Sequence, residues 1–227
     1  MPRIGVFGGS FNPIHFGHLL VADEIREVLE LDRVLFVPAA RPPHKPAGEL
    51  AAATDRFRMT VLAVREHPRF EVSDVELQRS GPSYTVQTLA ALQDLGRLHL
   101  LIGSETFLDL LSWREPRRLV GLARLVVVPR NSTGFEPEAP AAQKVLKDLG
   151  LPGFVDAAEA RLQGVAASTA DGRNGEPPAP VLVPAASLPI SGSDLRRRAR
   201  EGRSLAFRMP EPVAAYIREH RLYGAGA

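Results

Sequence analysis

The chain contains no cysteine, which excludes disulfides, thiolate metal sites and a cysteine nucleophile together. That composition suits a reducing compartment, and a cytoplasmic location is the expectation. No apolar run approaches the ~20 residues of a membrane span, and the N-terminus leads into a strand pattern with no signal-peptide signature. A one-sided charge is missing too. Against 26 Asp and Glu stand 28 Lys and Arg, and the formal net charge of +2 is too small to argue for a nucleic-acid or membrane partner. There is one tryptophan, and no internal repeat. The rest is ordinary for a soluble globular protein. The 227 residues, 44% hydrophobic and 24% charged, suffice for one sizeable α/β domain with its own core.

The stretch Ile4 to His18 organises the chain. Ile4-Gly5-Val6-Phe7 is a short apolar run that leads into Gly8-Gly9-Ser10, then Phe11-Asn12-Pro13-Ile14 and His15-Phe16-Gly17-His18. An amphipathic helical pattern follows. The order reads as strand, glycine turn, helix start. Such a junction offers unpaired N–H groups and the positive end of a helix dipole, which suits an anion such as phosphate. Gly8 and Gly9 carry no Cβ, so a ligand can lie against the backbone there. His15 and His18 share a face of a helical first turn, where imidazoles can donate to phosphoryl oxygens as charge develops. Other readings stay open. The stretch has neither the Gly-Lys-Ser/Thr of a Walker A loop nor a GxGxxG fingerprint, so it can be a structural turn. The two histidines can also be half of a metal site, although a catalytic zinc needs about three protein ligands and no third stands nearby.

Further along, Leu19, Ala22, Ile25, Val28 and Leu29 line one helical face, and Arg33 to Val37 reads as a buried strand. Strand, helix and strand in so short a span make a βαβ unit and predict a parallel sheet. The loop Pro38 to Pro46 is held extended by its prolines. It carries Arg41, His44 and Lys45, which can meet a second phosphate or simply face solvent. Asp55 to His67 reads as a helix with Phe57, Val61, Leu62 and Val64 inward and Met59 in the core. Phe70 to Val75 is a short strand. Thr85 or Ser83 can cap a helix over Val86 to Leu95. Leu98 to Ile102 is a strand ending in Gly103-Ser104-Glu105. Trp113 sits at a helix end or loop, where packing is the simplest role. Leu119 to Leu122 is helical, Arg124 to Val128 is a strand and Ala139 to Leu149 can be a helix. Residues 131–184 are the least informative part, with an expected flexible surface loop near 170–180. Val181 to Val183 is a last strand. Ser191 or Ser193 can cap a helix bearing Arg196, Arg197, Arg198 and Arg200, another anion site in outline. Pro210 to His220 is a terminal amphipathic helix.

The run GGSFNPIHFGH at residues 8–18 resembles the signature of the nucleotidyltransferases related to class I aminoacyl-tRNA synthetases, with His15 to His18 as their HxGH motif. Its GGSFNPIH form is similar to that of bacterial nicotinate-nucleotide adenylyltransferases. The resemblance implies a Rossmann-like parallel sheet with helices on both faces and a small C-terminal helical part, in one domain over 1–227 in which 131–184 is a less certain insertion. It implies transfer of the adenylyl group of ATP, supplied with Mg²⁺, to nicotinate mononucleotide, giving deamido-NAD and pyrophosphate. His15 and His18 would be the catalytic donors. Gly8, Gly9, Ser10 and Phe11 would face ATP, as would Gly103 and Glu105. The Pro42-Pro43-His44-Lys45 loop resembles the family's substrate-side loop, so His44 and Lys45 would meet the mononucleotide phosphate. Ser83-Tyr84-Thr85 looks like the nicotinate-recognition segment, and Trp113 like the aromatic that stacks on the pyridine ring. Ile190 to Arg196 is similar to the ISSTxIR motif, so Ser191, Ser193 and Arg196 would hold the β- and γ-phosphates. Three positions depart from the pattern. Glu105 stands where the family shows aspartate for an ATP ribose hydroxyl, Gly192 replaces a serine, and Ser193 replaces a threonine while keeping a hydroxyl. No protein metal site is expected, and the partners are small molecules, in a monomer or small homo-oligomer. Another phosphate acceptor, nicotinamide mononucleotide or phosphopantetheine, or a regulator that binds nucleotide without turnover, are the competing readings.

Overall fold

The structure is a computed structural model that describes residues 1–43, 50–129, 134–166, 177–186 and 188–224. The expected contacts of His44 and Lys45, and most of the loop near 170–180, lie outside the described residues. The elements run in an α/β order. β1 (Arg3–Gly9), α1 (Phe16–Val28) and β2 (Arg33–Pro38) form the expected first unit, and α2 (Ala53–Val64) and β3 (Phe70–Val72) follow. Next come α3 (Thr85–Leu92), β4 (Arg97–Gly103), α4 (Ser104–Leu108), α5 (Pro116–Leu122) and β5 (Arg124–Val128). After α6 (Pro140–Leu149), α7 (Ala157–Ala166) and β6 (Val181–Leu182), the chain ends in α8 (Gly192–Arg200) and α9 (Glu211–Glu219). The six-stranded parallel sheet has the order β3-β2-β1-β4-β5-β6. The order reverses at β1, and right-handed crossovers leaving in both directions put helices on both faces. The carboxyl end of β1 is therefore the position where such sheets take ligands. Among the described residues, no helix is long and apolar enough to cross a membrane.

The chain divides into two compact units. The first comprises Met1–Phe7, Ala22–Val34 and Tyr84–Ser187. Its strands pair in register, Ile4 beside Leu98, Leu100 beside Leu125 and Val126 beside Val181. Their apolar runs are buried on both faces, as parallel strands require, with Ile4, Leu100, Leu125 and Val126 all in the core. Each of β1, β2, β4 and β5 begins with an arginine: Arg3, Arg33, Arg97 and Arg124. His99 lies near Arg3, Arg97 and Arg124. Burial first, then the Arg124 charge with smaller pushes from Arg3 and Arg97, lowers its pKa to about 4 against a raising hydrogen bond to the Arg97 carbonyl. The Asn131 to Pro184 stretch supplies α6 and α7. α7 carries no clear apolar stripe, and the sequence reading has no helix there.

The second unit comprises Gly8–Val21, Leu35–Ser83 and Leu188–Ala227. Here α2 turns differently from expectation. Met59 and Val64 are buried as expected, but their companions on that face are Arg56 and Thr60, and Phe57, Val61 and Leu62 are only half-buried. Arg56 is 1% exposed. An arginine can occupy that stripe because loop carbonyls receive its whole guanidinium. In α9, Val213 and Ile217 are buried, and Tyr216 is half-buried, donating its hydroxyl to Asp55 at 2.9 Å.

Candidate active site

The turn after β1 is built around two aromatic contacts. Phe11 has a left-handed backbone (φ 42°), unusual for a residue with a side chain, and its ring is buried. It packs edge-on to His18, with centroids 5.2 Å apart, and tilts against Phe36 at 5.8 Å. A Cβ on Gly9 would stand 3.0 Å from the Phe11 ring, which would have to give by a few tenths of an ångström to admit it. Gly8 is exposed and open.

α1 begins at Phe16, and His15 and His18 do lie together, with ring centroids 3.8 Å apart and planes tilted by 33°. The His15 N–H donates to His18 Nδ1 at 3.3 Å, and the His18 N–H returns to the His15 carbonyl at 2.9 Å. With Nδ1 accepting, the neutral His18 ring carries its proton on Nε2, which becomes a hydrogen-bond donor. Gly17 permits the arrangement, because a Cβ there would stand 3.0 Å from His15 Nδ1 and 3.1 Å from Cε1. The expectation of unpaired N–H groups at this helix start needs correction. The His15 N–H is occupied by His18, and the Phe16 N–H donates to the Arg208 carbonyl at 3.0 Å.

The start of α8 joins this turn. Ser191 caps α8, its Oγ accepting from the Asp194 N–H at 3.2 Å. Arg196 donates through Nη1 to the Asn12 carbonyl at 2.9 Å and through Nη2 to Ser193 Oγ at 3.3 Å. A Cβ at Gly192 would lie 3.0 Å from that same carbonyl and 3.3 Å from Arg196 Nη1. The departure from serine at 192 is thus matched to a hydrogen bond passing close beside it. Arg197 and Arg198 bond locally, to Asp194 and to the Ser204 carbonyl, in keeping with a solvent-facing role.

Three residues that sequence reasoning did not single out tie this unit together. Arg56 donates to the Ser10 carbonyl at 2.8 Å, the Ala51 carbonyl at 3.0 Å and the Ala40 carbonyl at 3.3 Å. One buried guanidinium thus fastens the turn after β1 to the loop after β2 and to the segment before α2. Burial holds its pKa below the ordinary arginine value, offset in part by Tyr223 and Glu76. Asn12 is the second, its Oδ1 accepting from the Ala51 N–H at 3.1 Å and from the Tyr223 hydroxyl at 2.8 Å. Tyr223 is the third. For Arg56 a signal existed, because it shares a helical stripe with Met59, Thr60 and Val64 at spacings of a buried face.

The remaining candidates are placed more loosely. Ser83 does not cap α3; its Oγ accepts from the Arg41 N–H at 3.0 Å. Thr85 is the first residue of α3, not its cap, and the cap position is Tyr84 without a side-chain bond. In the first unit, the Arg114 guanidinium lies 4.8 Å from the centre of the Tyr84 ring, a cation–π arrangement. Trp113, beside it, is half-buried at the end of a short helical turn. Gly103 ends β4 and precedes α4, whose first turn holds the exposed Glu105. Among the described residues, no three His, Cys, Asp or Glu side chains converge as a metal site would require.

Three comparisons extend this picture. The family profile described as cytidylyltransferase-like matches residues 6–198. A protein of Thermus thermophilus named "Probable nicotinate-nucleotide adenylyltransferase" is 43% identical over 224 residues, covering 97% of this chain and 99% of its own length. One of the same name from a Roseiflexus species is 38% identical over 222 residues, with 97% of each chain covered. Among solved structures, the Plasmodium falciparum nicotinic acid mononucleotide adenylyltransferase complexed with NaAD superposes with a TM-score of 0.70 at 18% identity. It covers 99% of this chain and 98% of that one, a likeness of fold.

Proposed function

This chain belongs to the cytidylyltransferase-like family, beside its nicotinate-nucleotide adenylyltransferase relatives, and on that premise we propose that it joins ATP to nicotinate mononucleotide, giving deamido-NAD and pyrophosphate. The observation that carries this reading is the His15–His18 pair on the turn after β1, with His18 Nε2 as a donor and Arg196 bonded to the same turn.

In the proposed reaction a phosphate oxygen of nicotinate mononucleotide attacks the α-phosphorus of ATP. A P–O bond forms, the bond from the α-phosphorus to the bridging oxygen breaks, and pyrophosphate leaves with that electron pair. The attacking phosphate is already ionised near neutral pH, so the protein need supply no general base. Its work is positioning and charge neutralisation. His18 and His15 donate to the triphosphate where charge builds. Gly8, Gly9, Ser10 and Phe11 form the floor under it. Ser191, Ser193 and Arg196 hold the β- and γ-phosphates. Gly103 and Glu105 take the ATP ribose, the glutamate reaching one methylene further than an aspartate. His44 and Lys45 receive the mononucleotide phosphate, Ser83, Tyr84 and Thr85 the nicotinate carboxylate, and Trp113 the pyridine ring. ATP enters as its Mg²⁺ complex, and the ion travels on the nucleotide's phosphates and water. The step is assigned to the cytoplasm.

Pyrophosphate release from MgATP tests the reading, with nicotinate mononucleotide run beside nicotinamide mononucleotide and phosphopantetheine. Strong release with the first alone is expected. Release only with another acceptor overturns the roles of Thr85 and Trp113. No release from folded protein that still binds ATP overturns the enzyme reading altogether.

A further inference from the structure

Tyr223 lies 211 positions from Asn12 in sequence, yet its hydroxyl donates to Asn12 Oδ1 at 2.8 Å. The contact has several marks of a built feature. Asn12 is 6% exposed, and an amide oxygen has two lone pairs; here one is met by the Ala51 N–H and the other by Tyr223. The backbone turns sharply to bring the hydroxyl there. Arg221 (φ 48°) and Tyr223 (φ 59°) both adopt the left-handed conformation, a costly one for residues with side chains. Burial raises the phenol pKa, against the opposing charges of Arg196 and Arg56, so the group is a donor at any physiological pH. The backbone carbonyl of the same Asn12 is the acceptor for Arg196 Nη1, and the other arm of that guanidinium holds Ser193 Oγ. Gly192 leaves the room for this bond.

We propose that Tyr223 is a positioning residue for the nucleotide phosphate site: it fixes Asn12, and Asn12 fixes Arg196. The inference rests on the assignment of Arg196 to the ATP phosphates. Without the phenol hydroxyl, Asn12 Oδ1 loses the donor that Tyr223 supplies, its carbonyl gains freedom, and the Arg196 fork loses its fixed orientation. A guanidinium that must be ordered at the moment of binding binds more weakly than one already in place.

The test is a double-mutant cycle on Tyr223→Phe and Arg196→Ala, read as kcat/KM for ATP from pyrophosphate release. Tyr223→Phe alone is expected to lower kcat/KM for ATP about fivefold. The loss should sit in the KM for ATP, with kcat within about twofold and the KM for nicotinate mononucleotide unchanged. In the Arg196→Ala background the same change should cost less than about 1.5-fold, because the group it positions is gone. An equal loss in both backgrounds, a loss spread evenly over both substrates, or no loss from Tyr223→Phe overturns the proposal. A wild-type protein that releases no pyrophosphate refutes the reaction instead. Affinity for α,β-methylene-ATP, measured by calorimetry on wild type and Tyr223→Phe, then carries the comparison: about fivefold weakening supports the positioning role and equal affinity overturns it.

Discussion

Replacing Arg56 with alanine is the most informative single perturbation of stability. The side chain is 1% exposed and serves three backbone carbonyls, at 2.8, 3.0 and 3.3 Å. When a buried acceptor loses its partner, the cost is about 1–3 kcal/mol per group. Three carbonyls would sum to more, but removing the arginine also relieves the desolvation of a buried charge, the same burial that lowers its pKa. The balance is about 3–5 kcal/mol, a large share of the ~5–15 kcal/mol that stabilises a typical domain. At ~2–4 °C per kcal/mol for a chain of this size, Arg56→Ala should melt about 6–20 °C below wild type. Arg56→Lys keeps the charge but not the three-way fork, so it should fall between the two. Thermal unfolding by circular dichroism, backed by urea titration, reads both. A melting temperature for Arg56→Ala within about 2 °C of wild type would refute the reasoning, because it would mean that the carbonyls are equally well served without the guanidinium.

Three further outcomes are expected. His18→Ala should lower kcat about 100-fold or more with the melting temperature nearly unchanged, and turnover within about threefold of wild type would sink the donor role. Gly17→Ala should leave stability almost level, since about 1 kcal/mol of helix propensity offsets the crowding of His15 at 3.0 Å, while kcat/KM falls at least about tenfold; undiminished activity would show that the His15 ring need not stay where it is. His99, with its pKa lowered to about 4 from an ordinary 6.5, is neutral in the folded protein and charged when unfolded between those values. Its contribution is therefore complete above about pH 6.5 and is lost as pH falls towards 4, by at most about 3 kcal/mol; urea unfolding of wild type and His99→Gln across that range should diverge, and parallel curves would refute the assignment.

β2 and β5 were legible because they are buried on both faces and so read as continuous apolar runs, Val34 to Val37 and Leu125 to Val128. The histidine pair was legible because a local spacing makes a local contact. In α2 the apolar residues alone do not mark the buried face, because Arg56 takes that stripe once the Ser10, Ala40 and Ala51 carbonyls meet it. α7 left no mark because its apolar residues do not line up. The capping of α3 was misassigned because Ser83 has a competing donor, the Arg41 N–H, 42 positions away. Asn12 was visible as a letter in a motif but not as a junction, since the partners that define its role lie 39, 184 and 211 positions along the chain.

Those separations bear on how the molecule is made. A ribosome delivers the turn bearing His15 some two hundred residues before Tyr223. Domains generally begin to fold during synthesis, at ~5–20 residues per second, so the strands near the start can pair while the turn beside them still lacks its last donor. For ~10–40 seconds of each synthesis, the nascent chain then carries an unfinished site. If Tyr223 positions Arg196 as proposed, the last, roughly fivefold increment of nucleotide affinity arrives only with the emergence of that tyrosine.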